Sequence, residues 1–335
     1  MLKKMMSLKC HLVDYEKVKD EKGARLLFFG RYAGLAGMID SLWALGKRLD
    51  WEGIPNPFSS LKQTYQYPSL EEAEKAVAMV GTKIKEEGLR PSLLPFVCGF
   101  VGYGHVSQGA QEIFDLLPHC EIAPKDITTV FNNPARSKNC LYKVVFEEKH
   151  TVEPIDPAKH FELQDYYEHP EQYKSIFESY LPFMILLVNG IYWAPGYPRL
   201  VTKKGLALLY KNQPAPRLRV IGDITCDIEG SIECTLRSTQ PDNPVFVFDP
   251  IKDKAAEGYE GKGFVVLAVD NLPCELPIES SVYFGNTLLP FVPKISRADF
   301  SKDFKNCGLP PQIKNAVIVY NGRLTPPYKY IEKYF

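Results

Sequence analysis

The segment FVCGFVGYGHVSQGAQEIF, residues 96–114, has the residue types and the spacing of a phosphate-holding site. It reads as an apolar strand, then Gly102-Tyr103-Gly104, then a helix. Glycines let the backbone turn tightly beside a pyrophosphate, and the N–H groups at the start of the helix meet its charge. The strict dinucleotide fingerprint has glycine where this chain has Ser107. The strand–turn–helix setting favours dinucleotide binding over a simple turn before a helix.

The residue at the tip of the next strand indicates which dinucleotide is bound, and it lies about 20 residues further along. Glu121 in HCEIAPKD falls inside that predicted strand, and the tip is Ala123, with Lys125 close by. An absent acid with a lysine nearby favours a 2′-phosphate. The sequence therefore predicts NADP(H) as the cofactor, with NAD(H) less favoured, and Lys125 as a contact.

Polar residues also follow two other predicted strands, FMILLVNG (183–190) and LRVIGDIT (218–225). An open α/β sheet places its ligand crevice at such strand ends. Asp223 lies near the end of the second strand and Asp227 just after it, within DITCDIEGSIE. An acid before a glycine-containing loop is also common turn chemistry, and we expect one of the two acids to have only that role.

Alternating strands and helices must position these residues. Ser69 and Glu72 stand in capping-box register and predict an amphipathic helix over 69–88, ended by Gly88. Further helices are predicted at 108–117, 170–181, 203–211 and 280–292, and strands at 93–101, 142–148, 183–190, 218–225 and 263–270. This order predicts an α/β fold with a doubly wound, Rossmann-type parallel sheet.

Composition excludes several classes of protein. Lys+Arg and Asp+Glu are both 40, so no overall field attracts nucleic acid or anionic lipid. The longest apolar run, residues 181–188, is far shorter than the ~20 residues that span a bilayer. The eight scattered cysteines indicate buried free thiols, and no metal site is predicted. Since no signal peptide is recognisable, we expect a cytoplasmic or mitochondrial matrix protein that is not secreted.

Six segments together resemble the lysine-ketoglutarate reductase family: DYEKVKDEKGARLLFFGRYAGLAGMID, GYGHVSQGAQEIF, YYEHPEQY, VNGIYW, GDITCDIEGSIE and LAVDNLP. This family is the lysine-forming saccharopine dehydrogenase, often the first half of bifunctional aminoadipic semialdehyde synthase. The resemblance covers nearly the whole chain. It implies a second, substrate-binding lobe of the alanine dehydrogenase/transhydrogenase type beside the Rossmann domain.

The resemblance implies a reaction in lysine degradation. The side-chain amine of lysine condenses with the ketone of 2-oxoglutarate, and NAD(P)H reduces the imine to saccharopine. It also assigns Glu16 to an amine of lysine, Arg25 to a substrate carboxylate, and Asp227 to a place between nicotinamide and lysine. Taken without the family, Glu16 and Arg25 read as a surface ion pair.

Cofactor contacts are implied as well. Asn189 and Gly190 would approach the nicotinamide ring through their backbone, and Asp223 would support the loop of Asp227. The predicted cofactor-binding residues are Gly102, Gly104, His105, Val106, Ser107, Lys125, Asn189, Gly190 and Asp223.

The start of the chain departs from the family pattern. A lysine and a histidine with acid–base roles precede the DYE segment in the family, whereas MLKKMMSLKC precedes it here and matches neither. The catalytic residues are therefore unassigned. We expect residues 1–25 to be a remnant of the N-terminal substrate lobe, 26–228 to be the dinucleotide-binding domain, and 229–335 to return to the substrate lobe.

Loss of one acid–base group typically lowers the rate about 10²–10⁴-fold. Because the family's acid–base pair is unmatched here, two alternatives stay open. One is a catalytically silent NADP-binding module, and the other is a related amino-acid dehydrogenase. The partners implied are lysine, 2-oxoglutarate and a glutamate-forming saccharopine dehydrogenase domain in the native polypeptide, with no nucleic acid and no membrane.

Overall fold

The computed structural model describes residues 1–213 and 215–335, which divide into two compact units. One unit is Gly30–Pro277, and the other combines Met1–Phe29 with Ile278–Phe335. The strands are β1 (Leu12–Val13), β2 (Val97–Val101), β3 (His119–Glu121), β4 (Leu141–Phe146), β5 (Val152–Pro154), β6 (Tyr173–Ser175), β7 (Leu186–Asn189), β8 (Val220–Asp223), β9 (Val245–Asp249), β10 (Lys254–Glu257), β11 (Phe264–Leu267), β12 (Val317–Tyr320) and β13 (Arg323–Leu324).

The α-helices are α1 (Leu2–Ser7), α2 (Gly30–Trp51), α3 (Leu70–Glu87), α4 (His105–Phe114), α5 (Ile127–Asn132), α6 (Glu148–Thr151), α7 (Leu163–Glu168), α8 (Lys203–Asn212), α9 (Pro277–Leu288), α10 (Val292–Ser296) and α11 (Pro311–Asn315). The predicted cap of α3 is confirmed, since the Ser69 side chain accepts from the Glu72 backbone N–H and Gly88 ends the helix.

The larger unit contains an eight-stranded sheet in the order β10-β9-β11-β8-β7-β2-β4-β3. Six neighbouring strands, from β11 to β3, pair in parallel, and β9 and β10 add an antiparallel edge. The central strands β2, β7, β8 and β11 are buried throughout, as expected for a sheet that is covered on both faces.

Helices cover both faces of this sheet, and the alternation along β2 shows how. Phe100 makes an edge contact with Phe114 of α4 on one face. Val101 belongs to the cluster of the opposite face, together with Leu206 and Leu209 of α8. The predicted α/β, doubly wound Rossmann-type fold is therefore confirmed.

Two elements differ from the sequence prediction. Residues 170–181 form no α-helix, because β6 within them pairs antiparallel with β5 and 3₁₀ turns surround it. The long helix α2 was not predicted. The larger compact unit runs from Gly30 to Pro277, and its sheet includes β9, β10 and β11 as well as β2.

The smaller unit has its own sheet and core. Strands β1, β12 and β13 form the sheet, with Leu12 opposite Val319. Its core combines both ends of the chain, since Val18 and Leu27 pack in one cluster with Ile313 and Val317. Within this unit β1 continues into the predicted Glu16 region through a 3₁₀ turn at Tyr15–Lys17.

The cysteines are less buried than predicted. Cys98, Cys234 and Cys307 are buried, whereas the other five are at least partly exposed. Two of the exposed group lie side by side: the sulfur atoms of Cys120 and Cys140 are 2.7 Å apart.

Candidate dinucleotide site

The glycine turn connects β2 to α4. Gly102 has φ of +92°, which L residues with side chains rarely adopt, and a Cβ there would lie 2.9 Å from Cγ2 of Ile191. Gly104 is the N-cap of α4, which begins at His105. The first N–H groups of an α-helix have no acceptor within the helix, so the start of α4 suits a phosphate.

The sheet order makes this turn a topological switch point. The strand that neighbours β2 on one side is β4, and on the other side it is β7. The connection that leaves β2 runs through α4 to β3 on the β4 side, whereas the connection that leaves β7 runs through α8 to β8 on the other side. A crevice therefore opens at the carboxyl ends of β2 and β7, where α/β proteins bind ligands. Gly190 follows β7 there, and a Cβ on it would lie 3.0 Å from the backbone nitrogen of Ser107. The end of β7 is thus packed against the first turn of α4.

A cleft of about 420 Å³ lies at this edge of the sheet. Its floor is the glycine turn with Gly190, and aromatic rings supply much of the wall. A volume in the range of ligand pockets, an apolar wall and a few polar groups suit a nucleotide. The lining residues are Val101, Gly102, Tyr103, Gly104, Phe146, Glu147, Glu148, Thr151, Val152, Tyr166, Tyr167, Gly190, Ile191, Tyr192, Trp193, Tyr197, Pro198 and Leu200.

A buried polar network supports the ends of β7 and β8. Asn189 Nδ2 donates to Asp223 Oδ1 at 2.8 Å and to Ser231 Oγ at 2.9 Å. Asp223 also accepts from the hydroxyls of Thr225 and Thr235. Burial raises the pKa of Asp223 to about 6, although its hydrogen bonds act in the opposite direction. The network fixes the start of the loop that leads from β8 to Asp227.

Asp227 lies in a tight turn of that loop. Its carbonyl accepts from Gly230 N–H at 2.9 Å, and its half-buried side chain has a pKa raised by burial. Arg199 donates to the carbonyls of Glu229 and Gly230 in the same loop. Asp227 is not among the residues that line the cleft.

The remaining predicted residues are Lys125, Glu16 and Arg25. Lys125 is exposed in the 3₁₀ turn that follows β3 and does not line the cleft. Glu16 and Arg25 belong to the smaller unit, where they form an ion pair at 3.7 Å with side chains 54% and 44% exposed. The predicted residues that the structure brings together at one sheet edge are Gly102, Gly104, His105, Val106, Ser107, Asn189, Gly190 and Asp223.

Sequence reasoning missed one polar cluster in the cleft. Glu148 Oε1 accepts from the hydroxyl of Tyr167 at 2.8 Å and from that of Tyr103 at 3.4 Å. These residues are far apart in sequence, and the signal that could have identified them is the acidic pair that ends the predicted strand 142–148. That strand was not recognised as the neighbour of β2.

Within residues 1–213 and 215–335 no cluster of three or more His, Cys, Asp or Glu side chains has the geometry of a metal site. In the same residues no helix combines the length and the apolar character needed to cross a bilayer.

Comparisons with known proteins agree with this geometry. The alanine dehydrogenase/PNT C-terminal domain matches residues 194–327. A solved L-alanine dehydrogenase superposes over 99% of this chain and 71% of its own, with a TM-score of 0.52 at 16% identity, which supports the fold alone.

Sequence relatives match over almost the whole chain. It is 39% identical to alpha-aminoadipic semialdehyde synthase of Arabidopsis thaliana and 33% identical to the mitochondrial protein of that name from Mus musculus, in both cases over 99% of this chain. Saccharopine dehydrogenase [NAD(+), L-lysine-forming] of Schizosaccharomyces pombe is 31% identical over 31% of this chain and 26% of its own length. The chain spans about a third of the two synthases, 32% and 37% of their lengths. These matches confirm the resemblance to the lysine-ketoglutarate reductase family that the sequence motifs predicted.

Proposed function

We propose that this chain is a nicotinamide-dependent dehydrogenase that forms saccharopine from lysine and 2-oxoglutarate in lysine degradation. The ε-amine of lysine and the ketone of 2-oxoglutarate lose water to form an imine, and a hydride and a proton then reduce its C=N bond. One observation supports this most strongly: the glycine turn, Gly190 and the start of the Asp227 loop all follow neighbouring strands at one edge of the sheet. A bound nicotinamide cofactor would supply the hydride.

The residues of the larger unit have distinct roles in this proposal. Gly102, Gly104 and the first turn of α4, His105 to Ser107, hold the pyrophosphate. Asn189 and Gly190 present backbone groups to the nicotinamide end, and Asp223 positions them through its hydrogen bond with Asn189. Asp227 holds or accepts a proton at the reacting nitrogen, and burial raises the pKa of its carboxyl, which favours the protonated form.

The smaller unit is proposed as the part of a substrate lobe that this chain carries. Glu16 would hold an amine of lysine, and Arg25 would bind a substrate carboxylate. The two side chains are 3.7 Å apart. Both are half exposed, so each is accessible to a ligand of opposite charge. In the native polypeptide we propose a second, glutamate-forming saccharopine dehydrogenase domain as a partner, and a mitochondrial or cytoplasmic location.

The choice between NADP(H) and NAD(H) rested on the strand that contains Glu121. In the structure this strand, β3, is the outermost of the sheet and is separated from β2 by β4. The residue at its tip, Ala123, therefore does not decide between a ribose hydroxyl and a 2′-phosphate, and Lys125 stays a proposed cofactor contact.

The experiment is oxidation of NADH and of NADPH by the purified chain with lysine and 2-oxoglutarate, and with each substrate omitted. We expect turnover that needs both substrates. Asp227→Asn should lower kcat at least tenfold, whereas Asp242→Asn, an exposed acid in a loop, should not. Nucleotide binding without turnover would instead support a silent binding module, and oxidation of alanine would support a related amino-acid dehydrogenase.

A further inference from the structure

The strand that lies beside the glycine turn is β4. It pairs in parallel with β2, with Phe146 opposite Val101, and the backbone N–H of Gly102 donates to the Phe146 carbonyl at 2.9 Å. The residues directly after Phe146 are Glu147 and Glu148. Two carboxylates thus stand where the chain passes the glycine turn, at the tip of the strand next to β2.

Glu148 presents its carboxylate to the cleft. It lines the cleft together with Tyr103, the middle residue of the glycine turn, and accepts hydrogen bonds from Tyr103 and Tyr167. The side chain is only partly exposed, and these two phenols orient it. A carboxylate can accept several hydrogen bonds, so Glu148 keeps capacity for a ligand hydroxyl.

Glu147 has a different, structural set of partners. Its side chain caps the short helix α6, and its carboxylate forms an ion pair with Lys149 at 2.8 Å. The Lys149 ion pair lowers the pKa of Glu147, so this residue is ionised at neutral pH. The cation nearest the β4 tip is therefore already neutralised by a carboxylate.

The two clefts beside the β4 tip are lined by acidic residues and by no lysine or arginine of the described residues. A second cleft of about 540 Å³ on the other side of the β4 tip is lined by Tyr103, Gln108, Gln111, Glu121, Ile122, Ala123, Pro124, Val145, Glu147 and His150. Burial lowers the pKa of His150, so this residue supplies no positive charge at neutral pH.

These charges discriminate between two nucleotides. A ribose 2′-hydroxyl donates a hydrogen bond to a carboxylate at the tip of the strand next to the fingerprint strand, whereas a 2′-phosphate needs a cation there. We propose that Glu148, with Glu147 beside it, accepts hydrogen bonds from the adenosine ribose and selects NAD(H) over NADP(H). The inference rests on the cofactor site of the proposed function and reverses the nucleotide preference predicted from the sequence.

The test is a titration of the purified chain with NADH and with NADPH, followed by isothermal calorimetry. The wild type should bind NADH at least tenfold more tightly than NADPH. Glu148→Gln keeps the size of the side chain and removes its charge, so the ratio of the two Kd values should fall severalfold. The double variant with Glu147→Gln should reduce the ratio further.

A control variant tests whether the assignment is specific. Glu153→Gln, whose carboxylate pairs with Lys174 on the β5–β6 ribbon and lines neither cleft, should leave the ratio unchanged. A wild type that binds NADPH as tightly as NADH would overturn the inference while leaving the proposed function intact. An unchanged ratio in Glu148→Gln would overturn it also, and binding of neither nucleotide would contradict the proposed cofactor site as well.

Discussion

Asn189 and Asp223 are joined by a 2.8 Å hydrogen bond between two fully buried side chains at the ends of the neighbouring strands β7 and β8. The pair links the strand end that is proposed to meet the nicotinamide with the loop that carries Asp227. Loss of the carboxylate would leave a buried amide and two hydroxyls with fewer acceptors.

We therefore expect Asp223→Ala to lower the free energy of unfolding by about 1–3 kcal/mol, because buried donors lose their acceptor. Urea denaturation measures this change. Asp242→Ala, at an exposed position, is the matched control and should stay within about 0.5 kcal/mol of the wild type. Equal stability of the two variants would show that the network does not support the site.

The buried acid pair Asp40 and Glu275 should make stability depend on pH. The backbone N–H of Thr64 donates to the Asp40 carboxylate. Burial raises the pKa of Glu275 to about 10, and the charge of Asp40 and a hydrogen bond between the two carboxyl groups act in the same direction. A group whose pKa is higher in the folded protein than in the unfolded chain stabilises the folded protein at low pH. This contribution is lost as the pH rises through the pKa of the group in the folded protein. The free energy of unfolding should therefore fall steadily from about pH 5 to about pH 10.

Glu275→Gln isolates this effect, since an amide cannot ionise. The variant should show a flatter pH profile and should be more stable than the wild type at the alkaline end. Thermal denaturation over the pH range measures both quantities. A profile as steep in the variant as in the wild type would mean that other groups cause the dependence.

Gly102→Ala should weaken nucleotide binding at least tenfold, because alanine is strained at φ of +92° and its Cβ would approach Ile191. Gly285→Ala in α9, where a Cβ meets nothing within 4 Å, is the control and should bind normally. The Kd for NADH measures the difference. Normal binding by a folded Gly102→Ala protein would argue against the turn as the phosphate site.

Cys120 and Cys140 should form a disulfide under mild oxidation by diamide, which takes up the two hydrogens and two electrons that the thiols lose. Their sulfur atoms are 2.7 Å apart, and burial raises the pKa of Cys140 to about 12, so the reaction should be faster at alkaline pH. Closing this loop should add roughly 3 kcal/mol to the free energy of unfolding. Non-reducing peptide mapping detects the link, Cys120→Ser should abolish it, and separate peptides after oxidation would refute the expectation.

Local sequence signals predicted some elements well. Ser69 and Gly88 bound α3 because capping chemistry is local. The apolar run before Gly102 predicted β2 because a strand buried on both faces has few polar residues. The sequence did not indicate α2, since most of its 22 residues are buried and no polar face marks the helical period.

The order of strands was beyond local reasoning. Glu121 follows the fingerprint helix at the expected spacing, yet β3 pairs with β4 at the sheet edge, and Glu148 of a later segment lies beside the glycine turn. Strand order depends on long-range pairing that no short motif encodes. The same holds for Arg199, whose contacts with the Asp227 loop involve residues about 30 positions away.

The most direct test of the central claim is hydrogen exchange of the chain with and without NADH. If the carboxyl ends of β2, β4 and β7 hold the dinucleotide, binding should slow exchange in segments 101–107, 147–149 and 189–193. Unchanged exchange in these three segments under saturating NADH, or protection confined to other parts of the chain, would contradict the account.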